Sequence, residues 1–167
     1  DDATQALVES ERHGHTLGMF SAHLAVAMGR GWQGDLAGAE EHLELARRYV
    51  DAAPRYFGPA VDGYLGVVRL GAGELAEARR LLEQAVAAFD ELGSPWGAAH
   101  SLTFLGMVAV FEGDQVRAEA VFQQTIERAL ESGKVHSELH ARMELAGLLA
   151  ASGAEDDALV EYELVTT

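Results

Sequence analysis

The 167-residue sequence contains no cysteine, only three prolines and a single lysine, Lys134. Without cysteine the chain can form neither disulfide bonds nor a catalytic thiolate. This composition is typical of proteins from a reducing compartment, and we expect a cytoplasmic location. No stretch of about 18 apolar residues is free of charges or glycine breaks, so the sequence predicts no membrane-spanning helix.

Positive charge is also scarce. The chain has 12 Lys and Arg residues against 27 Asp and Glu residues, which gives a formal net charge of −15. Because phosphate backbones and anionic membranes attract clusters of Lys and Arg, we expect no direct binding to nucleic acid or membrane. The hydrophobic fraction is 49%, which provides enough apolar material for a core.

The sequence is dominated by a repeat with a period of 39 or 40 residues. Glycines that interrupt the helical pattern are Gly34, Gly73, Gly113 and Gly153. Five residues after each glycine comes an alanine, at Ala39, Ala78, Ala118 and Ala158. Four residues further comes a large apolar or aromatic residue, at Leu43, Leu82, Phe122 and Tyr162. Before each break an apolar residue precedes a small one, at Val26, Leu65, Leu105 and Leu145. A position that ends helices holds Gly14, Ala53, Gly93 and Gly133.

Long repeats of helix pairs predict a solenoid, because one pair cannot bury its own apolar face. We therefore expect an all-α, right-handed α-solenoid of antiparallel helix pairs. The prediction is one array over residues 1–167, in which 1–14 ends a preceding repeat and 15–53, 54–93, 94–133 and 134–167 are repeats. The array begins within one repeat and ends within another, so we expect the sequence to be a fragment of a longer chain.

Local signals place the helices within each repeat. The segment from Leu75 to Glu91 has apolar residues at alternating steps of three and four, which is typical of an amphipathic helix. Asp35 and Asp114 follow break glycines and are predicted N-caps. The helix that begins at Asp35 is predicted to end near Ala52, before a junction that contains Pro54.

These repeats resemble the tetratricopeptide repeat (TPR), whose pattern has Leu-Gly in the first helix and Ala with a large apolar residue in the second. Two copies carry this pattern: Leu65-Gly66 with Ala78 and Leu82, and Leu105-Gly106 with Ala118 and Phe122. The period exceeds the family's usual value of about 34 residues. The resemblance covers almost the whole chain and implies a TPR-like superhelix that binds other molecules.

A narrower resemblance is carried by residues 91–100 and 105–114. These segments are similar to the long repeats of large bacterial signalling ATPases, including transcription activators of the LuxR, AfsR and maltose-activator types. In those proteins the array is a sensor or partner-docking module. The resemblance therefore implies the interaction or sensor region of a larger bacterial signalling or transcription regulator.

Candidate catalytic and metal-binding residues are few. His136 and His140 are spaced to share a helix face, but Glu138 is wrongly placed for the zinc-protease motif, and two ligands are too few for a structural zinc site. Serine and histidine residues are present, but nothing in the sequence brings a nucleophile together with a general base. We expect no enzymatic activity, no metal and no cofactor. Arg30 and Arg69 stand where the TPR family has a buried aromatic residue, and either reach a partner such as Asp62 or extend into solvent.

The resemblance implies that the first helix of each pair lines a concave groove. Steps of three and four along the non-core side of these helices select positions that carry no Asp, Glu, Lys or Arg. The candidate partner-binding residues among them are Leu24, Met28, Val67, Leu70, His100, Thr103, Met107, Val110, His140 and Met143. An uncharged groove that contains methionine favours an apolar or amphipathic helix or peptide as the partner.

Two other interpretations use the same groove. A small-molecule sensor would close it into an apolar pocket in which His100, Thr103 and His140 supply polar groups. A purely architectural array would fill it with the chain's own flanking helices, or with a second copy in a homodimer formed through the groove or the array ends.

Overall fold

The computed structural model of the chain describes residues 2–52, 54–133 and 135–166. In these residues the chain forms nine α-helices and one short 3₁₀ helix, Val50–Ala52, and no strand. The α-helices are α1 Asp2–His13, α2 Thr16–Trp32, α3 Leu36–Arg47, α4 Phe57–Gly71, α5 Leu75–Glu91, α6 Pro95–Phe111, α7 Gln115–Ser132, α8 Val135–Ser152 and α9 Glu155–Thr166. The all-α prediction is confirmed. No described helix combines the length and the hydropathy needed to cross a bilayer.

The first helices of the pairs are α2, α4, α6 and α8, and the second helices are α1, α3, α5, α7 and α9. One predicted helix boundary is wrong: α3 ends at Arg47 and is followed by the 3₁₀ helix Val50–Ala52, whereas we expected it to continue to Ala52. The N–H groups of Arg48 and Tyr49 already bond three residues back, to the carbonyls of Leu45 and Ala46. The backbone therefore changes from α-helical to 3₁₀ hydrogen bonding at these residues, several positions before Pro54.

The predicted break glycines have the backbone conformation that ends a helix. Gly34, Gly73, Gly113 and Gly153 have φ values of 80°, 78°, 76° and 86°. A residue with a side chain is strained in this left-handed region, whereas glycine is not. At the predicted terminator position, Gly14, Gly93 and Gly133 also have positive φ. Ala53, the fourth residue of that position, lies outside the described residues.

Both predicted N-caps are confirmed. The Oδ1 atom of Asp35 accepts a hydrogen bond from the backbone N–H of Gly38 at 3.0 Å. Asp114 caps α7 in the same way, accepting from the N–H of Arg117 at 3.1 Å. Each carboxylate satisfies a donor that has no partner in the first turn of its helix, which fixes where the second helix begins.

The chain divides into two compact units, Asp1–Leu81 and Leu82–Thr167. The core of the first unit contains Phe20, Leu43, Val61 and Leu65, all at most 4% exposed. The ring of Phe57 packs edge-on against Phe20 with 4.6 Å between ring centroids. The repeat residues Ala39, Leu43 and Leu65 therefore form the interior of this unit, as their spacing predicted.

The core of the second unit is built around Phe122, which is fully buried with Ala118, Ala141 and Leu145. The small residue at Gly106 has a clear role here, because a Cβ atom at this position would lie 2.4 Å from Cε1 of Phe122. Tyr162, which occupies the position of Phe122 in the last repeat, is 44% exposed. Among the described helices, α9 makes its main contacts with α8.

Arg30 and Arg69 in the first unit form ion pairs across the turn between the two helices of a repeat. Arg30 binds Asp35 at 2.9 Å, and Arg69 binds Glu74 at 3.1 Å and also Glu40. The suggested partner Asp62 instead pairs with Arg47 at 2.6 Å. Both arginines therefore stabilise the repeat turn by binding the residue that follows the break glycine.

Candidate binding surface on the first helices

In the first unit, the candidate residues lie on α2 and α4. Leu24, Met28 and Val67 are half-buried, and Leu24 packs against the core that contains Phe20. Leu70 is only 8% exposed, so its side chain belongs to the interior. Its assignment to the partner-binding surface is therefore corrected.

In the second unit, the candidate residues lie on α6 and α8. Met143 is 53% exposed and Val110 is 40% exposed, so both present apolar surface to solvent. Met107 is half-buried and packs against the core cluster around Phe122. Thr103 is 1% exposed, and its hydroxyl donates to the carbonyl of Ala99 at 3.1 Å. Thr103 is thus an interior residue, and its assignment to the partner-binding surface is corrected, as it was for Leu70.

The error at Thr103 follows from the composition of α6. Pro95–Phe111 contains no charged residue, so the helix has no polar side that would mark its solvent face. A helix that is apolar all round is normally buried on most sides. Helical spacing selects the residues of one face of such a helix but does not show which face is exposed. The contacts of α6 with α7 and α8 determine the exposed face.

A cluster of aromatic rings lies beside the exposed residues of the second unit. The ring of Phe104 lies 5.1 Å from that of His100 and 5.8 Å from that of His140, in both cases edge-to-face. His136 lies 6.4 Å from His140. Phe104 is not among the candidate residues, although its position four residues after His100 places the two rings on one side of α6. Of the trio His100, Thr103 and His140, Thr103 is buried and its hydroxyl is bonded within its own helix, so it offers no free polar group beside the two imidazoles.

His100 is held in its neutral form. Burial, with a smaller contribution from the nearby imidazoles of His140 and His136, lowers the pKa of His100 from 6.5 to about 4. A general base works best with a pKa near the operating pH, so His100 is poorly suited to that role at pH 7. The cluster around Phe104 therefore presents aromatic edges and a neutral imidazole.

The surface of α8 is not free of charge, contrary to the expectation. The carboxylate of Glu144 lies 3.6 Å from Nε2 of His140, and both side chains are about one-third exposed. Glu144 is not among the candidate residues because it directly follows Met143, and the candidates are spaced three or four residues apart. Among the described residues, no group of three or more His, Cys, Asp or Glu side chains is arranged to hold a metal ion.

Comparison with known proteins identifies the repeats. Residues 59–131 match the family model of the tetratricopeptide repeat. A search of curated protein sequences gives no match. Among solved structures, BtubC (BKLC) from P. vanneervenii is 17% identical with a TM-score of 0.78, and the alignment covers 97% of this chain and 68% of that chain.

Two further structures are similar. A putative kinesin light chain from Podosopora anserina with nearly identical TPR-like repeats is 22% identical with a TM-score of 0.60, over 89% of this chain and 74% of that chain. The Rap conjugation gene regulator of the plasmid pLS20, solved in complex with the Phr* peptide, is 15% identical with a TM-score of 0.77. That alignment covers 93% of this chain and 44% of the Rap chain.

The class of protein follows from the helix pairs and from these similarities: the chain is an all-α helical-repeat solenoid. More specifically, residues 59–131 match the family model of the tetratricopeptide repeat. The TPR fold generally serves as a scaffold for protein interactions.

Proposed function

We propose that this chain is a non-enzymatic protein- or peptide-binding module of a larger bacterial signalling or transcription regulator. Its ligand is an apolar or amphipathic helix or peptide that binds the candidate residues on α2, α4, α6 and α8 other than Leu70 and Thr103. We call these residues the first-helix surface. The observation that carries the proposal is the exposure of Met143 and Val110, 53% and 40%, on the first helices of the second unit. The structurally similar Rap regulator was solved in complex with the Phr* peptide, and that complex is a precedent that supports the proposal.

The physical reason is that exposed apolar side chains gain from being covered. Met143 is flexible and polarizable, so it adapts to the shape of a partner. The half-buried rings of Phe104 and His140 offer flat surface beside the exposed residues. A helical partner would present apolar residues at i, i+3, i+4 and i+7 to such a surface. Leu24, Met28 and Val67 are the corresponding contacts proposed for the first unit.

Charge predicts the rest of the partner. Residues 82–167 contain 15 acidic residues and 4 basic residues. A partner with Lys or Arg on either side of its apolar segment is therefore attracted, whereas an acidic one is repelled. Glu144 beside His140 offers a carboxylate for such a flank.

The test begins with random-peptide phage display against the purified chain, followed by calorimetric titration of a selected peptide into variants. Met143→Glu places a charge on the proposed surface. Leu130→Glu, on the second helix α7, is the matched control because Leu130 is 54% exposed and the charge change is the same. We expect Met143→Glu to weaken binding roughly tenfold or more and Leu130→Glu to change it little. Met107 is unsuitable as a probe because it packs against the core.

Equal affinity of the two variants would contradict the proposed surface. Selected peptides without apolar residues at helical spacing would contradict the proposed ligand. A chain that dimerises through this surface, so that Met143→Glu yields a monomer by light scattering, would favour the architectural alternative. The regulator context would be contradicted if the full-length gene encoded neither an ATPase nor a DNA-binding domain.

A further inference from the structure

A second candidate site lies in the second unit, on the side formed by second helices. A cleft of about 250 Å³ opens between α7, α8 and α9. Its apolar lining residues are Leu145, Leu149 and Val160. By helical periodicity, Leu145 lies on the opposite side of α8 from Met143. The cleft is therefore separate from the first-helix surface.

Three of the other lining residues are carboxylates. Glu119, Asp157 and Glu161 line the cleft together with the amide of Gln123. The Glu161 carboxylate accepts a hydrogen bond from Arg142 at 2.6 Å, and the same guanidinium donates to Glu138 at 2.9 Å. Glu119 accepts from the neutral amide of Gln123 at 3.2 Å.

Two of these carboxylates lack a cationic partner. In the described part of the chain, no Lys, Arg or His forms an ion pair with Glu119 or Asp157. The second half of the sequence, residues 82–167, is acidic as a whole, with 15 acidic and 4 basic residues. A cleft lined by one sign of charge concentrates ligands of the opposite sign.

The size and lining of the cleft select the kind of cation. Its volume is below the range of about 300–1,000 Å³ that is usual for drug-sized ligands. The apolar lining residues offer no ligands to a metal ion, and no described group of three acidic or histidine side chains could hold one. A long basic side chain fits both parts, since its methylene stem covers apolar surface while its charged end stays near carboxylates.

We propose that the cleft between α7, α8 and α9 binds an arginine side chain of a basic peptide segment. The stem of the arginine lies against Leu149 and Val160, and its guanidinium donates to the carboxylates of Glu119 and Asp157. Arginine is favoured over lysine because its planar guanidinium is weakly hydrated and donates two parallel hydrogen bonds to a carboxylate. This site would bind a basic segment independently of the first-helix surface.

The test uses a fluorescein-labelled, end-capped peptide Gly-Leu-Arg-Leu-Arg-Gly and a counterpart in which neutral citrulline replaces arginine. Affinity is measured by fluorescence anisotropy at low and at physiological salt. Val160→Lys brings a positive charge into the cleft. Leu159→Lys is its matched control, because Val160 and Leu159 are neighbours on α9 that are 55% and 59% exposed, and only Val160 lines the cleft.

We expect Val160→Lys to weaken binding of the arginine peptide by roughly tenfold or more, and Leu159→Lys by less than about twofold. The citrulline peptide should bind weakly to every variant. Equal weakening by both lysine variants would overturn the proposal, because it would show attraction to the acidic surface in general. Equal binding of the arginine and citrulline peptides would overturn it as well.

A second pair of variants guards against a folding defect. The double variant Glu119→Gln/Asp157→Asn removes the two carboxylates without adding bulk. Its control, Glu91→Gln/Glu131→Gln, removes the same charge from exposed positions outside the cleft. The proposal requires that the first double variant lose the arginine peptide while the second retains it, both with unchanged circular dichroism spectra. Retention by both variants would refute it.

Discussion

The packing of α6 against α7 can be tested by adding a single methyl group. Gly106→Ala would place its Cβ atom 2.4, 2.7 and 2.9 Å from the Cε1, Cδ1 and Cζ atoms of Phe122. Ordinary carbon–carbon contacts are about 3.5–4.0 Å, so the ring would have to move by roughly 1 Å. Phe122 is fully buried, and a packed core resists such a displacement.

The magnitude follows by comparison with a second glycine of the same unit. Gly147 on α8 is exposed, and a Cβ atom at that position would meet no other atom within 4 Å. Alanine is favoured over glycine inside a helix by about 1 kcal/mol, and this gain applies to both sites. Overpacking at Gly106 costs about 1–3 kcal/mol and applies only there. We therefore expect Gly147→Ala to raise the free energy of unfolding, and Gly106→Ala to lie about 1–3 kcal/mol below it.

The assay is urea denaturation followed by far-UV circular dichroism, with the two variants and the parent chain compared under one condition. A double-mutant cycle adds Phe122→Leu, which removes the ring and should reduce the penalty of Gly106→Ala. If Gly106→Ala is as stable as Gly147→Ala, the helices cross at a greater distance than the structure shows. If Phe122→Leu leaves the penalty unchanged, the strain lies elsewhere.

Two other predictions concern the core and pH. Ala78→Leu and Ala118→Leu insert bulk at fully buried sites and should each destabilise by about 1–3 kcal/mol in urea melts, whereas stability equal to the parent would refute the predicted helix crossing. The folded-state pKa of His100 is about 4, below its ordinary 6.5, so the unfolded chain binds the proton first as the pH falls. Stability should fall between pH 6.5 and 4 by at most about 3 kcal/mol, and His100→Gln should lack that part of the decline. An NMR titration of the His100 ring with a midpoint near 6.5 would contradict the assignment.

Much of the fold could be predicted because its signals are local and repeated. Gly34, Gly73 and Gly113 interrupt the helical pattern at a fixed period, and the positive φ that each requires depends on the chain near that glycine. Asp35 and Asp114 cap the following helices through bonds to residues only three positions away. Because the same pattern recurs in four copies, these signals are distinguished from chance matches.

The accessible surface was predicted less well, because accessibility depends on neighbours that are distant in sequence. Leu70 and Thr103 fit the spacing of the first-helix surface but are buried by the helices around them. Phe104 and Glu144 were outside the selected positions, yet their side chains lie beside His140.

The sequence by itself determined that the chain is all-α, where its helices turn and which small residues recur at its helix crossings. Each of these properties is a consequence of backbone conformation or of one periodic apolar stripe. Tertiary structure alone decided the partners of Arg69, the exposure of Met143 and Tyr162, and the cleft beside Val160. These depend on how three or more helices are placed around one another, and an apolar residue has the same local pattern whether a neighbouring helix covers it or leaves it in solvent.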